Sequence, residues 1–118
     1  MNDGEIGFTT FRIKDDFETP ARVVAAFARA KKDANGDIVF LAQFAYCSPK
    51  ERESDKNMGR FIASSRLFAN NERGAIPFSL PENFKPREFR ECLRQLILRE
   101  ADRKKVRWLA GKTSDDLI

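Results

Sequence analysis

From Phe8 to Ile13 the chain sets Phe11 and Ile13 on one face and Arg12 and Lys14 on the other, a two-residue period that predicts a strand. The next stretch, Arg22 to Ala30, alternates less cleanly, and its alanines suit a helix as well as a strand. The residues after Ala30 decide between the two. Asn35-Gly36 tolerates the positive φ of a tight turn, and the run Ile38-Val39-Phe40-Leu41-Ala42-Gln43-Phe44-Ala45-Tyr46 comes directly after it. Residues 21–32 and 37–47 therefore read as a hairpin. The nearly unbroken apolarity of Ile38 to Tyr46 marks a central strand covered on both faces.

Pro49 ends that strand, a charged loop runs from Glu51 to Asp55, and helical spacing takes over. Over Asn57 to Asn70, Met58, Phe61, Ile62, Ser65 and Phe68 recur at intervals of three and four, with Ser54 or Asp55 placed to cap the helix. Asn70-Asn71-Glu72-Arg73-Gly74 breaks the pattern, and Pro77 and Pro81 punctuate the stretch after it. Pro86 then opens a second helix that runs to about Lys105, with a stripe of Phe89, Cys92, Leu93, Leu96, Ile97 and Ala101 continuing toward Trp108 and Leu109. Strands followed by helices predict an α+β fold: an N-terminal antiparallel β-sheet followed by two C-terminal α-helices lying on one side of it. The 118 residues hold one domain, set here at 1–110, and the polar tail 111–118 is expected to fray.

Composition narrows the function classes. There is no His, which removes the usual general base at neutral pH, every Ser-His or Cys-His nucleophile pair and any imidazole metal site. Cys47 and Cys92 stand far apart with no CxxC, and read as small apolar side chains in a reducing compartment. No run of apolar residues is long enough to span a membrane, and Met1-Asn2-Asp3-Gly4-Glu5 has no signal-peptide character, so a cytoplasmic location is expected. The net charge of +4 is not spread evenly, because Lys85 to Arg107 carries nine cations against four anions. A basic element on an otherwise near-neutral body points to an anionic partner, although a solvated helix face laced with Glu-Arg pairs has the same signature.

Three features carry candidate chemistry. Lys50 leaves a strand end, and Lys56 and Arg60 lie in the first turns of a helix, where free N–H groups add to cationic side chains in attracting phosphate. Gly59, Ala63 and Ser64 keep that helix slim, either for close approach of a ligand or for tight packing. In the last helix Arg90 and Arg94 lie one turn apart, as do Arg99 and Arg103, and Arg103 and Arg107, and such pairs can grip one phosphate. Asn83, Phe78 and Phe84 sit in or beside the proline-rich connection, where a Phe either stacks a base or plugs the gap between helix and sheet. Neither GxxxxGK[ST] nor GxGxxG is present, so a P-loop or dinucleotide fold is not supported.

The antiparallel sheet, the elements Cys47-Ser48-Pro49-Lys50 and Gly59-Arg60-x-Ile62-Ala63-x-x-Arg66, and two arginine-rich C-terminal helices together resemble phage proteins of the type one Thoeris anti-defence family, over residues 22–107. Members of that family are sponges for nucleotide immune signals. The resemblance implies tight binding without turnover of cyclic ADP-ribose isomers, and of cyclic oligonucleotides, in an oligomer assembled through the helices. The family's pockets use Arg, an aromatic residue and Asn, for which Arg60, Phe84, Asn83 and the helix arginines qualify by type and place.

The expected function is thus capture of a small cyclic nucleotide by Lys50, Lys56, Arg60, Asn83, Phe84, Arg90, Arg94, Arg103 and Arg107, with no catalytic residue, metal or cofactor. A single-stranded nucleic-acid binder using sheet and basic helix is the alternative, and direct inhibition of a host protein a third. Two helices on one face would leave the other face of Ile38 to Tyr46 bare, and Trp108, Leu109 and either Phe61 or Leu67 fall outside the main helix stripes. A homo-oligomer paired through the C-terminal helices is therefore expected.

Overall fold

The Asn-Gly turn forms where the pattern puts it. In the computed structural model, which describes residues 6–14, 21–47, 56–67 and 74–118, strands β2 (Arg22–Lys32) and β3 (Ile38–Cys47) make an antiparallel hairpin. Gly36 takes φ +84°, and the Asp33 carboxylate accepts the N–H groups of Asn35 (2.9 Å) and Asp37 (3.0 Å), closing the turn. β1 (Gly7–Arg12) pairs antiparallel with β2, placing Thr9 opposite Ala25 and Phe11 opposite Val23.

A fourth strand lies where the prolines suggested only a break. β4 (Ile76–Leu80) pairs antiparallel with β3, giving a four-stranded sheet in the order β1-β2-β3-β4. Pro77 is tolerated because β4 is an edge strand, where a missing N–H need not interrupt a ladder on both sides. β4 stops opposite Ala42, so among the described residues the far end of β3 has no strand partner on that side. Side chains from elsewhere serve it. Arg66 donates to the Phe44 carbonyl (2.6 Å), and buried Gln43 donates to the Gly74 carbonyl (2.8 Å) while its own oxygen accepts the Phe44 N–H (3.1 Å).

The fold is α+β as expected, but the two helices do not share a face. α1 (Lys56–Leu67) covers the side built by Val24, Ala26 and Ala45, while α2 (Pro86–Arg103) covers the side built by Phe11, Val23, Ala25 and Phe44. A central strand apolar on both faces requires a cover on each, and one helix supplies each cover. The α1 stripe also differs from the expected one, since Gly59, Ala63 and Leu67 are buried while Phe61 is 67% exposed and Ser65 faces solvent. Gly59 is small for packing: a Cβ there would lie 2.8 Å from Val24 Cγ2.

α2 buries Leu93, Leu96, Ile97 and Ala101, as its spacing predicts. It is closed by Lys105, which adopts φ +57°, with its N–H on the Asp102 carbonyl and the Val106 N–H on the Ala101 carbonyl. Leu109 is then buried and Trp108 half-buried against the same core.

The tail does not fray, because Leu117, 2% exposed, seats beside Phe11 and Ile13. Arg12 and Ile118 exchange N–H to carbonyl bonds (2.9 and 2.8 Å), the Lys14 N–H reaches the Asp116 carbonyl, and Thr113 and Asp116 form a capping box. A single anchoring leucine in a polar stretch is invisible to composition. The two cysteines form no disulfide with each other: Cys47 lies under α1 and Cys92 on α2, on opposite sides of the sheet. Among the described residues no helix is long and apolar enough to cross a membrane.

Candidate functional site

Where the first turn of α2 crosses the sheet, β1 contributes Gly7 opposite Phe27 and so offers no side chain to cover that ring. The opening is a groove of about 430 Å³ floored by Phe27, Phe40, Phe84 and Phe89 and bordered by Thr9, Arg29 and Arg90. The rings support one another: Phe27 meets Phe89 edge-on at 4.8 Å, Phe40 meets Phe84 and Phe89 edge-on at 5.6 and 5.1 Å, and Phe84 stacks near Phe89 at 5.9 Å. Phe84 therefore plugs the gap between helix and sheet and also presents surface to the groove.

Two cations flank this floor. Arg90 donates to the Thr9 hydroxyl (3.3 Å) and lies over the Phe11 ring at 4.6 Å. Burial, and then the neighbouring Arg94 charge, lower its pKa from the usual guanidinium value, yet it stays protonated at any ordinary pH. Arg29 comes from β2 and has no hydrogen-bond or ion-pair partner among the described residues. Glu82, at the same end of the hairpin, is engaged by Lys32 at 2.8 Å, which holds its carboxyl below the usual range, and the nearby Arg29 charge adds to that effect, so Glu82 offsets part of the Arg29 charge from outside the groove.

The remaining candidates scatter. Lys50 and the Lys56 side chain lie outside the described residues. Arg60 sits over the Phe8 ring at 5.6 Å on the α1 side, across the sheet from the groove, so it cannot join Arg90 in one pocket of one chain. Asn83 is exposed in the turn before Phe84. Arg94 is a tether: it donates to the Leu117 carbonyl (2.8 Å) and lies over Phe11 at 5.3 Å. Arg103 forks onto Glu100 (3.1 and 2.8 Å), holding that carboxyl below its usual range. It is thirteen residues along α2 from Arg90, or roughly 20 Å at the helical rise. Arg107 lies beyond the helix with Lys105 and Lys112 beside a recess of about 410 Å³.

Arg29, Phe27, Phe40 and Phe89 were not offered as site residues by the sequence, which placed Phe40 and Phe89 in the core. One signal was there: Arg29 continues the alternate positions Val23, Ala25 and Phe27, all on the core face of β2, where a cation is out of place. A second groove of about 740 Å³ runs between β4 and α2, with Pro77, Phe78, Cys92 and Leu96 inside and Glu88 and Arg99 at its border. Among the described residues no group of three His, Cys, Asp or Glu is placed to hold a metal ion. No protein-family model matches the chain, and neither a curated protein nor a solved structure matches it.

Proposed function

We propose that the protein binds a small phosphate-bearing nucleotide in the aromatic groove and keeps it intact, as a cytoplasmic sponge of the kind its sequence resembles, with cyclic ADP-ribose isomers and cyclic oligonucleotides as ligands. The observation that carries this reading is the pairing of an aromatic floor with two cations, Arg29 and Arg90, that no carboxylate in the groove neutralises. Aromatic stacking contributes about 1–3 kcal/mol per base and is tolerant of base type, while guanidinium forks match phosphate geometry. No carboxylate or thiol lines the groove among the described residues, so nothing there is suited to take a proton from an attacking water. The single-stranded nucleic-acid alternative draws on the same aromatic floor and cations, and a steep fall of affinity with salt would favour it over a small ligand.

Incubation with cyclic ADP-ribose, washing, heat release and chromatography should return the ligand unchanged, and Phe84→Ala should retain much less of it. A cleaved product, or equal retention by Phe84→Ala, overturns the reading.

Pairing of two chains through α2 belongs to the same proposal on a narrower basis than the sequence suggested. Leu67 and Leu109 are buried and Trp108 half-buried within the chain, and Phe61 stays exposed but on α1, across the sheet from α2, so on the α2 side the groove between β4 and α2 is the surface for a second copy. Set antiparallel to itself about the point between Leu93 and Arg94, α2 brings Glu88 opposite Arg99 and Lys85 opposite Asp102, a self-complementary row of charges. Sedimentation of Glu88→Arg should show weakened pairing that Glu88→Arg with Arg99→Glu restores. A wild-type chain that sediments as a monomer rules the dimer out.

A further inference from the structure

We infer that Thr9 is a positioning residue of the groove: its hydroxyl, together with the Phe11 ring, holds the Arg90 guanidinium in place at the rim before any ligand arrives. The inference rests on the proposed nucleotide site and says how that site is prepared.

The arrangement follows from two periodicities. Thr9 and Phe11 stand on the same face of β1, and Arg90 and Arg94 lie one turn apart on α2, so a hydroxyl and a ring on the strand meet two guanidinium groups on the helix. Arg90 Nη1 donates to Thr9 Oγ1 at 3.3 Å, while its Cζ stands 4.6 Å from the centre of the fully buried Phe11 ring. Thr9 is itself fixed, because its backbone pairs opposite Ala25 and a β-branched side chain has little freedom at χ1. Arg94 stands over the same ring at 5.3 Å, tied to the Leu117 carbonyl at 2.8 Å, and its charge repels Arg90 from that side.

Arg29, the other cation of the groove, has no such support. Among the described residues no hydrogen bond or ion pair holds it, although Glu82 acts on it through charge. An arginine ordered only when ligand binds subtracts its lost rotamer freedom from the affinity, whereas one ordered on folding does not. The Thr9 hydroxyl keeps its own proton to donate, so direct contact with ligand has to be told apart from positioning.

Two readouts do so: nuclear relaxation of the arginine Nε in the ligand-free protein, and isothermal titration with cyclic ADP-ribose. In the free wild type Arg90 Nε should be ordered and Arg29 Nε mobile. Thr9→Val, which keeps the branched shape without the hydroxyl, should loosen Arg90 in the free protein and weaken cyclic ADP-ribose by about three- to tenfold, the cost of ordering one long side chain on binding. Thr9→Ser should restore both within about twofold, because it keeps the acceptor. Thr10→Val, the same change on the opposite face of β1, should alter neither. The inference is overturned, with the nucleotide site left standing, by an Arg90 as mobile as Arg29 in the free wild type, by unchanged Arg90 mobility or wild-type affinity in Thr9→Val, by failure of Thr9→Ser to rescue, or by an equal effect of Thr10→Val. No binding of cyclic ADP-ribose by the wild type overturns both.

Discussion

Gly59 and Lys105 show how single residues hold this fold. A methyl at Gly59 would press on Val24 Cγ2 at 2.8 Å, and the χ1 of valine is too stiff to yield cheaply. Gly59→Ala should therefore lower stability by about 1–3 kcal/mol in chemical denaturation, the usual cost of overpacking. Lys105 is the reverse case, a side chain at φ +57° in the position that closes α2, where glycine is the unstrained residue. Lys105→Gly should raise stability by about 0.5–1 kcal/mol without touching the groove. Arg94, which the sequence offers as a phosphate ligand, spends its donors on Leu117 and its charge on Phe11 and Glu91. A cation that looks free in a helical repeat is thus committed inside the chain.

At the scale of elements, the docked tail yields the clearest predictions. Leu117 closes the core beside Phe11, so Leu117→Ala should cost about 2–5 kcal/mol and speed amide exchange at Ile118 and Arg12. The Thr113 N–H and hydroxyl bind the Asp116 carboxylate and hold its pKa below the ordinary value. With the folded pKa below the unfolded one, this stabilisation is complete above about pH 4 and is lost as pH falls through the folded value. Glu100, held down by Arg103, acts in the same direction. Thermal melts should therefore fall on acidification below about pH 4, and less steeply in Asp116→Asn.

The hairpin was legible because Asn35-Gly36 and alternating apolarity are local signals, and α2 because its stripe keeps helical spacing along its whole length. β4 was not, since Pro77 argues against a strand until a neighbour makes it an edge. The facing of α1 was illegible too: small residues, Gly59 and Ala63, make its buried stripe, and hydropathy alone chose Phe61 instead. Of the candidate site, Phe84 and Arg90 were legible by type. Arg29 needed the register of β2 against β1 to be brought to the same groove.

For the whole molecule, the layer order decides which readings survive. With α1 and α2 on opposite sides of the sheet, Arg60 belongs to one surface, Arg90 to the other, and Arg103 and Arg107 to the far end of α2. The proposed nucleotide capture is thereby tied to one place, the aromatic groove. Amide chemical-shift mapping of the labelled protein titrated with cyclic ADP-ribose tests that choice directly. Binding in the groove predicts perturbations confined to residues 7–9, 27–29, 38–40 and 84–90, with residues 60–67 and 103–112 unmoved. Perturbations centred on Arg60 or on Arg103 and Arg107, or none at saturating ligand, would contradict it.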